Sequence, residues 1–303
     1  MKSVVIFPGQ GTQQPAMGAP WRDHPAWAVV EQAEAAIGEP LAPLLLDATA
    51  EELSRTRNAQ LAVLVTSLIA WEAAREQLDP IAFAGHSLGQ VTALIASGCT
   101  PFDDGVRFAA RRAELTQAAA DAHPGKMAAL LGASYEQAEE VCTAAAAEVW
   151  VANDNAPGQV VIAGTPEGLA AGTTAAKESG VRKVMPLDVG GAFHTPLMQD
   201  ATDALREELT GVAFASPTAS VISNDDGRAY DTADGWAERS AQHVSVPVRW
   251  RIVQSTLVEV GAPSFIEIGH GNMLATLAKR TVPNVPVHKL SAPDDLDKLG
   301  GST

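Results

Sequence analysis

Cysteine is nearly absent: two residues in 303, Cys99 and Cys142, with no C-x-x-C spacing. That argues against a disulfide framework or a cysteine metal site, and two free core thiols fit a reducing cytoplasm. Long apolar runs are missing too, so nothing reaches the roughly 20 residues that cross a bilayer. Met1-Lys2-Ser3 leads straight into Val4-Val5-Ile6-Phe7, too short and too early for a signal peptide, and reads as a buried strand. Positive charge is scarce: 21 Lys and Arg against 36 Asp and Glu leave a net charge of −15. This excess argues against nucleic-acid binding and against anionic membrane surfaces. Internal repeats and low-complexity tracts are also missing. What remains is 46% hydrophobic and 19% charged, an ordinary water-soluble composition, with length for one large domain or two smaller ones.

The chain is organised around Ile81-Ala82-Phe83-Ala84-Gly85-His86-Ser87-Leu88-Gly89-Gln90. A short apolar run enters Gly-His-Ser-Leu-Gly, and Val91, Leu94 and Ile95 follow at helical spacing. Strand, tight turn and helix are what a nucleophile elbow requires. Glycines at both ends relieve Cβ clashes in the turn. The helix N-terminus faces the place where negative charge develops. The motif alone also fits a structural glycine turn with an incidental serine.

Upstream, the strand Val4-Val5-Ile6-Phe7 ends in Pro8-Gly9-Gln10-Gly11-Thr12-Gln13-Gln14, a glycine- and amide-rich loop of the kind that binds ligands at strand ends. Periodicity predicts a helix over 24–37, short helical pieces over 41–53 and a long buried helix over 58–77. After the elbow a helix spans 102–122. A segment with its own rhythm follows: strand 126–131, and helix 134–147 with Ser134 as N-cap and Gln137 closing a capping box. Short strands at 149–151 and 159–163 flank Asn153 to Gly158. Helix 166–179 stops at Gly180, and a strand covers 181–187. That β-α-β-β-α-β order predicts a ferredoxin-like domain inserted into a larger α/β domain. Strand 220–223, helix 248–260 with Pro247 near its first turn, strand 265–268, helix 273–280 and edge strand 285–290 complete the large domain. Residues 291–303 read as a loose tail.

A serine hydroxyl needs a base. His86 adjoins Ser87 but points away along the elbow, and His24, His123 and His288 read as solvated. His194, in Gly190-Gly191-Ala192-Phe193-His194 at the domain junction, is the candidate base; the plain alternative is a satisfied interfacial histidine. No carboxylate stands out as a third partner. Asp188 is near in sequence only, and a backbone carbonyl is the other way to orient the ring. Arg107, Arg111 and Arg112 share one helix, and at most one of the adjacent pair can face a given pocket. Arg112 suits a carboxylate by two parallel hydrogen bonds, or a solvated face.

Phe7-Pro8-Gly9-Gln10-Gly11-Thr12-Gln13, Gly85-His86-Ser87-Leu88-Gly89, Asn155-Ala156-Pro157-Gly158-Gln159-Val160-Val161-Ile162-Ala163-Gly164 and Gly191-Ala192-Phe193-His194 occur in that order. Together they resemble the malonyl-CoA:acyl carrier protein transacylases and the acyltransferases of polyketide synthases. The resemblance implies an α/β-hydrolase-like large domain with a mostly parallel sheet (1–123 and 194–303) and a ferredoxin-like small domain (124–193). It implies Ser87 as nucleophile and His194 as base. Arg112 would hold the free malonyl carboxylate, and the Gln10 and Leu88 N–H groups would form an oxyanion hole, each contributing about 3 kcal/mol. Phe193 would crowd an α-substituent, and Gln60 and His243 join the substrate-site set. The implied partners are malonyl-CoA, a substrate with no cofactor or metal beside it, and a phosphopantetheinylated acyl carrier protein. A cytoplasmic monomer is expected. A serine hydrolase on related thioesters or esters is the rival reading.

Three positions depart from the family pattern. Gln90 stands where glutamate is usual and is expected to remove a charge near the pocket mouth. His243 replaces the usual Gln or Asn, whose backbone carbonyl orients the histidine. Gly269-His270-Gly271 replaces Gly-Pro-Gly. A carrier protein is usually acidic, so docking would need a local basic patch, with Arg182, Lys183, Lys279 and Arg280 as candidates.

Overall fold

A computed structural model of the chain describes residues 1–300. Strand β1 (Lys2–Phe7) lies central in a six-stranded sheet, and its side chains alternate between two cores. Val5 and Phe7 enter one hydrophobic cluster, Val4 and Ile6 the other, as the two-residue strand period dictates. Helices α1 (Ala28–Ile37), α2 (Ala42–Leu46), α3 (Ala50–Ser54) and α4 (Thr56–Ala74) follow. The Val5 and Phe7 face packs under them. Helix α4 is apolar around most of its circumference because it is buried among other helices. Strand β2 (Asp79–Gly85) pairs parallel with β1, and α5 (Leu88–Ala96) and α6 (Phe102–Ala122) return along the same face.

The middle of the chain builds a separate antiparallel sheet. Strand β3 (Lys126–Leu131), helix α7 (Tyr135–Ala145), strands β4 (Val149–Ala156) and β5 (Gln159–Gly164), helix α8 (Pro166–Glu178) and strand β6 (Lys183–Leu187) follow in order. The strands lie β4-β5-β3-β6. One face carries Leu130, Val149 and Ile162 under the two helices; the other carries Met127, Ala129 and Val161 toward Ala192 and Phe193. The chain then adds α9 (Gln199–Leu209), β7 (Ser220–Ile222), β8 (Ala229–Tyr230), α10 (Trp236–Gln242), α11 (Trp250–Glu259), β9 (Phe265–Ile268), α12 (Met273–Thr281), β10 (Val287–Leu290) and α13 (Leu296–Gly300). The large sheet runs β10-β9-β1-β2-β7-β8, parallel except for the antiparallel β8. The protein is thus a mixed α/β fold with a mostly parallel sheet and a separate antiparallel one.

Several sequence expectations move. The 24–37 helix begins as a 3-10 turn, Pro25–Trp27, because the His24 ring caps Ala26. Ser134 caps α7, but Gln137 does not close the capping box; its amide donates to Ser179 O instead. Asn153, Asp154 and Asn155 are strand rather than loop, Asn153 and Asp154 being paired with Val161 and Val160. Pro247 does not start a helix. Val248 exchanges backbone bonds with β4, keeping the chain extended until α11 begins at Trp250. The tail is not loose over 291–300: Leu299 is buried and Asp295 caps Ser291 and Ala292. Residues 301–303 lie outside the described residues. Helices α9 and α10 were not foreseen.

The elbow is the tightest place in the fold. A Cβ on Gly85 would sit 1.9 Å from Gly89 O, and one on Gly89 would sit 2.1 Å from Phe7 O. Gly89→Ala is therefore expected to cost about 3 kcal/mol or more, read as a lower urea midpoint at unchanged m-value. An unshifted midpoint would show that the segments separate at little cost.

Candidate active site

The elbow ends at Ser87, which takes φ 52°, ψ −112° immediately before α5. A β-carbon at positive φ is strained, and the close packing of β1, β2 and α5 holds it there. Among the described residues four non-glycines have positive φ, and two of them are Ser87 and His194 (φ 62°). Both side chains are thus presented by backbone that only the surrounding structure sustains.

Ser87 Oγ lies 2.8 Å from His194 Nε2. On the ring's other side, Nδ1 is 2.8 Å from His243 O and 3.1 Å from Val246 O. Carbonyls only accept, so Nδ1 carries the proton and Nε2 is free to take the serine proton. No carboxylate orients the ring; the bond goes to backbone, and Asp188 plays no part in it. His194 is 3% exposed. Burial, then the Arg112 charge and His86, push its pKa down to about 3.

Arg112 is the one arginine of α6 that turns inward. Arg107 pairs with Asp104, and Arg111 with Glu208 and Glu114, at the surface. Arg112 is 4% exposed, and its Nη2 is 3.3 Å from Ser87 Oγ. Its Nη1 donates to Gln60 Oε1, whose amide in turn donates to Thr116 Oγ1 at 3.0 Å. Among the described residues its Nε has no partner and no ion pair includes Arg112. Burial pushes its pKa down to about 10, so it stays charged at neutral pH. A buried guanidinium without a counter-ion is costly, and this one has donors free for an anion in the cavity.

These groups line a cavity of about 140 Å³, together with Gln10, Leu88 and Phe193. Leu88 opens α5, so its N–H has no partner within the helix. A Cβ on Gly9 would fall 2.4 Å from His86 O, so the first loop rests directly on the elbow and sets Gln10 beside Ser87. The set is that of nucleophilic acyl transfer: hydroxyl, oriented imidazole, helix N-terminus and a cationic slot. Among the described residues no three His, Cys, Asp or Glu side chains gather as a metal site, and no helix is long and apolar enough to cross a membrane.

Residues 4–292 match the acyl transferase domain. The chain belongs to the acyl transferase family. The malonyl CoA-acyl carrier protein transacylase of Bacillus subtilis is 34% identical over 98% of this chain and 95% of its own. That of Escherichia coli is 33% identical over 96% of both chains. An acyl-carrier-protein S-malonyltransferase structure from Burkholderia pseudomallei superposes with TM-score 0.94 at 35% identity, covering 99% of this chain and 100% of that one.

In this acyl transferase the structure brings Ser87, His194, Arg112, Gln60, Gln10, Leu88 and Phe193 to one cavity. His243 contributes its carbonyl and does not line the cavity. Gln90 differs from expectation. It is 2% exposed, away from the pocket mouth, and its Oε1 accepts from Asn224 N at 2.7 Å. His86 does point away from Ser87 Oγ, but its Nε2 meets Asn155 Oδ1 at 2.8 Å and the residue lines the cavity. Asn224 and Asn155 were missed. The available signal was runs of polar residues at strand ends, Asn153-Asp154-Asn155 and Ser223-Asn224-Asp225.

A base must be neutral to act, and His194 is neutral down to far below the ordinary imidazole value of 6.5. The kcat/KM profile for acyl transfer is expected to hold its plateau through pH 6.5, with its acid limb well below. A half-maximal rate near 6.5, with circular dichroism showing an intact fold, would contradict this.

Proposed function

We propose that this enzyme moves a malonyl group from malonyl-CoA to the phosphopantetheine thiol of an acyl carrier protein, through a malonyl ester on Ser87. The observation that carries this reading is Arg112: a buried, unpaired guanidinium 3.3 Å from the nucleophile. An acyl group ending in a carboxylate supplies the missing charge, and a plain esterase has no use for it. The names of relatives over 30% identical along almost the whole chain point the same way. One structural neighbour, 30% identical, is a malonyl-transacylase described in complex with a type II polyketide acyl-carrier protein.

In the proposed cycle His194 Nε2 takes the Ser87 proton as Oγ attacks the thioester carbonyl. The oxyanion meets the Gln10 and Leu88 N–H groups. The carbon–sulfur bond breaks, and His194 returns the proton to the CoA sulfur. The carrier thiol then gives its proton to His194 and attacks the ester carbonyl, and Ser87 Oγ leaves with the proton. Arg112, held by Gln60, keeps the malonyl carboxylate ionised throughout. Phe193, at the cavity wall, restricts the α-carbon. Every step uses groups of the chain and the two thiols.

The finer architectural reading belongs to the same proposal: an α/β-hydrolase-like domain over 1–123 and 194–303, and a ferredoxin-like domain over 124–193. The strand order β4-β5-β3-β6 and the separate core of the small sheet support it. Carrier docking would use the depression lined by Arg182, Lys183 and Arg280, where Arg280 Nη2 is tied to Pro157 O at 2.7 Å. Three cations there offset locally a chain of net charge −15.

Ser87→Ala incubated with radiolabelled malonyl-CoA is expected to retain no covalent label. Labelling at the wild-type level would end the mechanism. Arg112→Ala is expected to lower malonyl transfer by about 100-fold or more while affecting acetyl transfer far less, as loss of a charged, desolvated contact implies. Equal loss for both acyl groups would remove the carboxylate clamp.

A further inference from the structure

Asn224 follows β7, is fully buried, and does not line the cavity. Its side chain nevertheless touches the Ser87 backbone and His243, whose carbonyl orients His194. Asn224 Oδ1 accepts the Ser87 backbone N–H at 2.9 Å, and Nδ2 donates to Gly85 O at 2.9 Å. These two bonds fix the amide's orientation, because an N–H needs an acceptor and a carbonyl needs a donor. The same Oδ1 lies 3.1 Å from His243 Nε2. Since Oδ1 only accepts, that ring nitrogen must carry the proton. His243 then presents its own carbonyl to His194 Nδ1.

One amide oxygen therefore joins the nucleophile's backbone to the residue that orients the base. Ser87 sits at φ 52°, where its N–H has no helical partner. Without Asn224 that N–H and Gly85 O would be buried and unpaired, and the strained turn would lose its anchor. Asn224 is itself held at both ends of its backbone. Its N–H reaches Gln90 Oε1 at 2.7 Å, and its carbonyl accepts from Arg249 N at 2.8 Å.

We infer that Asn224 is a positioning residue for acyl transfer, and that Gln90 and His243 are matched to each other through it. Position 90 must bring an acceptor for the Asn224 N–H, and position 243 a donor for its Oδ1. Two departures from the family pattern that are far apart in sequence thus meet on one residue, Gln90 at its backbone N–H and His243 at its side-chain oxygen. The inference rests on the acyl-transfer reading for its assay, but it concerns only how Ser87 and His194 are held in register. The register matters because a displacement of about 1 Å costs on the order of 100-fold in rate.

The test uses the whole enzyme and single-turnover labelling of Ser87 by malonyl-CoA, with kcat, KM and melting temperature measured beside it. Asn224→Ala is expected to lower the acylation rate by about 30-fold or more with KM within about threefold, as misalignment does. Because Asn224→Ala risks misfolding, His243→Leu and His243→Gln carry the test independently. Leucine removes the donor, and its acylation rate is expected to fall about tenfold, a loss typical of misplacement. Glutamine restores an N–H donor and is expected to recover most of that rate at a similar melting temperature. A rescue of this kind is not what bulk packing would give. Equal rates in the Leu and Gln variants, or an Asn224→Ala enzyme with wild-type acylation, would overturn the inference. Wild-type protein that takes no label at all would instead overturn the acyl-transfer reading.

Discussion

Three backbone segments converge at the elbow with no space for a single extra carbon. The end of β1, the turn after β2 and the start of α5 meet through Gly85, Gly89 and the carbonyl of Phe7. Everything chemical follows from that approach. It forces Ser87 to a strained positive φ, turns its hydroxyl away from the sheet, and leaves the first N–H of α5 open toward it. It also seats the Gly9-Gln10 loop against His86, so the second backbone donor arrives from a strand that precedes the elbow by more than 70 positions.

The rest of the molecule brings charge and a base to that point. Helix α6 delivers one guanidinium into the cavity and leaves its neighbours in surface ion pairs. The cost of an unpaired buried cation is the physical ground for proposing an acid-bearing acyl group as the substrate. The same cation, with burial, depresses the His194 pKa, so the base is neutral while the site is empty. A carboxylate bound at Arg112 offsets that charge and raises the imidazole's proton affinity just as the serine proton must be taken. Substrate binding and base strength are therefore linked through one residue.

The small sheet contributes more than a lid. Asn155 of β4 bonds His86 of the elbow, and Val248 pairs with β4 just before α11. Asp154, also on β4, holds Arg251 of α11 at 2.9 Å. The small and large sheets are thus tied together beside the cavity by backbone and side chain alike, and the cavity wall formed by Met127 and Val161 is fixed relative to Ser87.

Local signals were enough for much of this. An apolar run, Gly-x-Ser-x-Gly and helical spacing announce the elbow because tight turns have few chemical solutions. The strand and helix order of the small unit was readable because each element carries its own period and cap. The sequence also singled out His194, a titratable residue in an apolar turn, whereas Arg112 was picked from its neighbour only by the family resemblance. Long-range geometry decided the rest. Whether Arg111 or Arg112 faces inward depends on how α6 packs, not on its composition. The extended course of 247–249 and the burial of Gln90 depend on partners distant in the chain, and the strand at Asn153 to Asn155 pairs with the adjoining β5 and also with Val248. The Asn224 link is the clearest case: its hydrogen bonds reach residues 134, 137 and 139 positions away, besides His243. A sequence states which groups can bond, and only folding selects which of them meet.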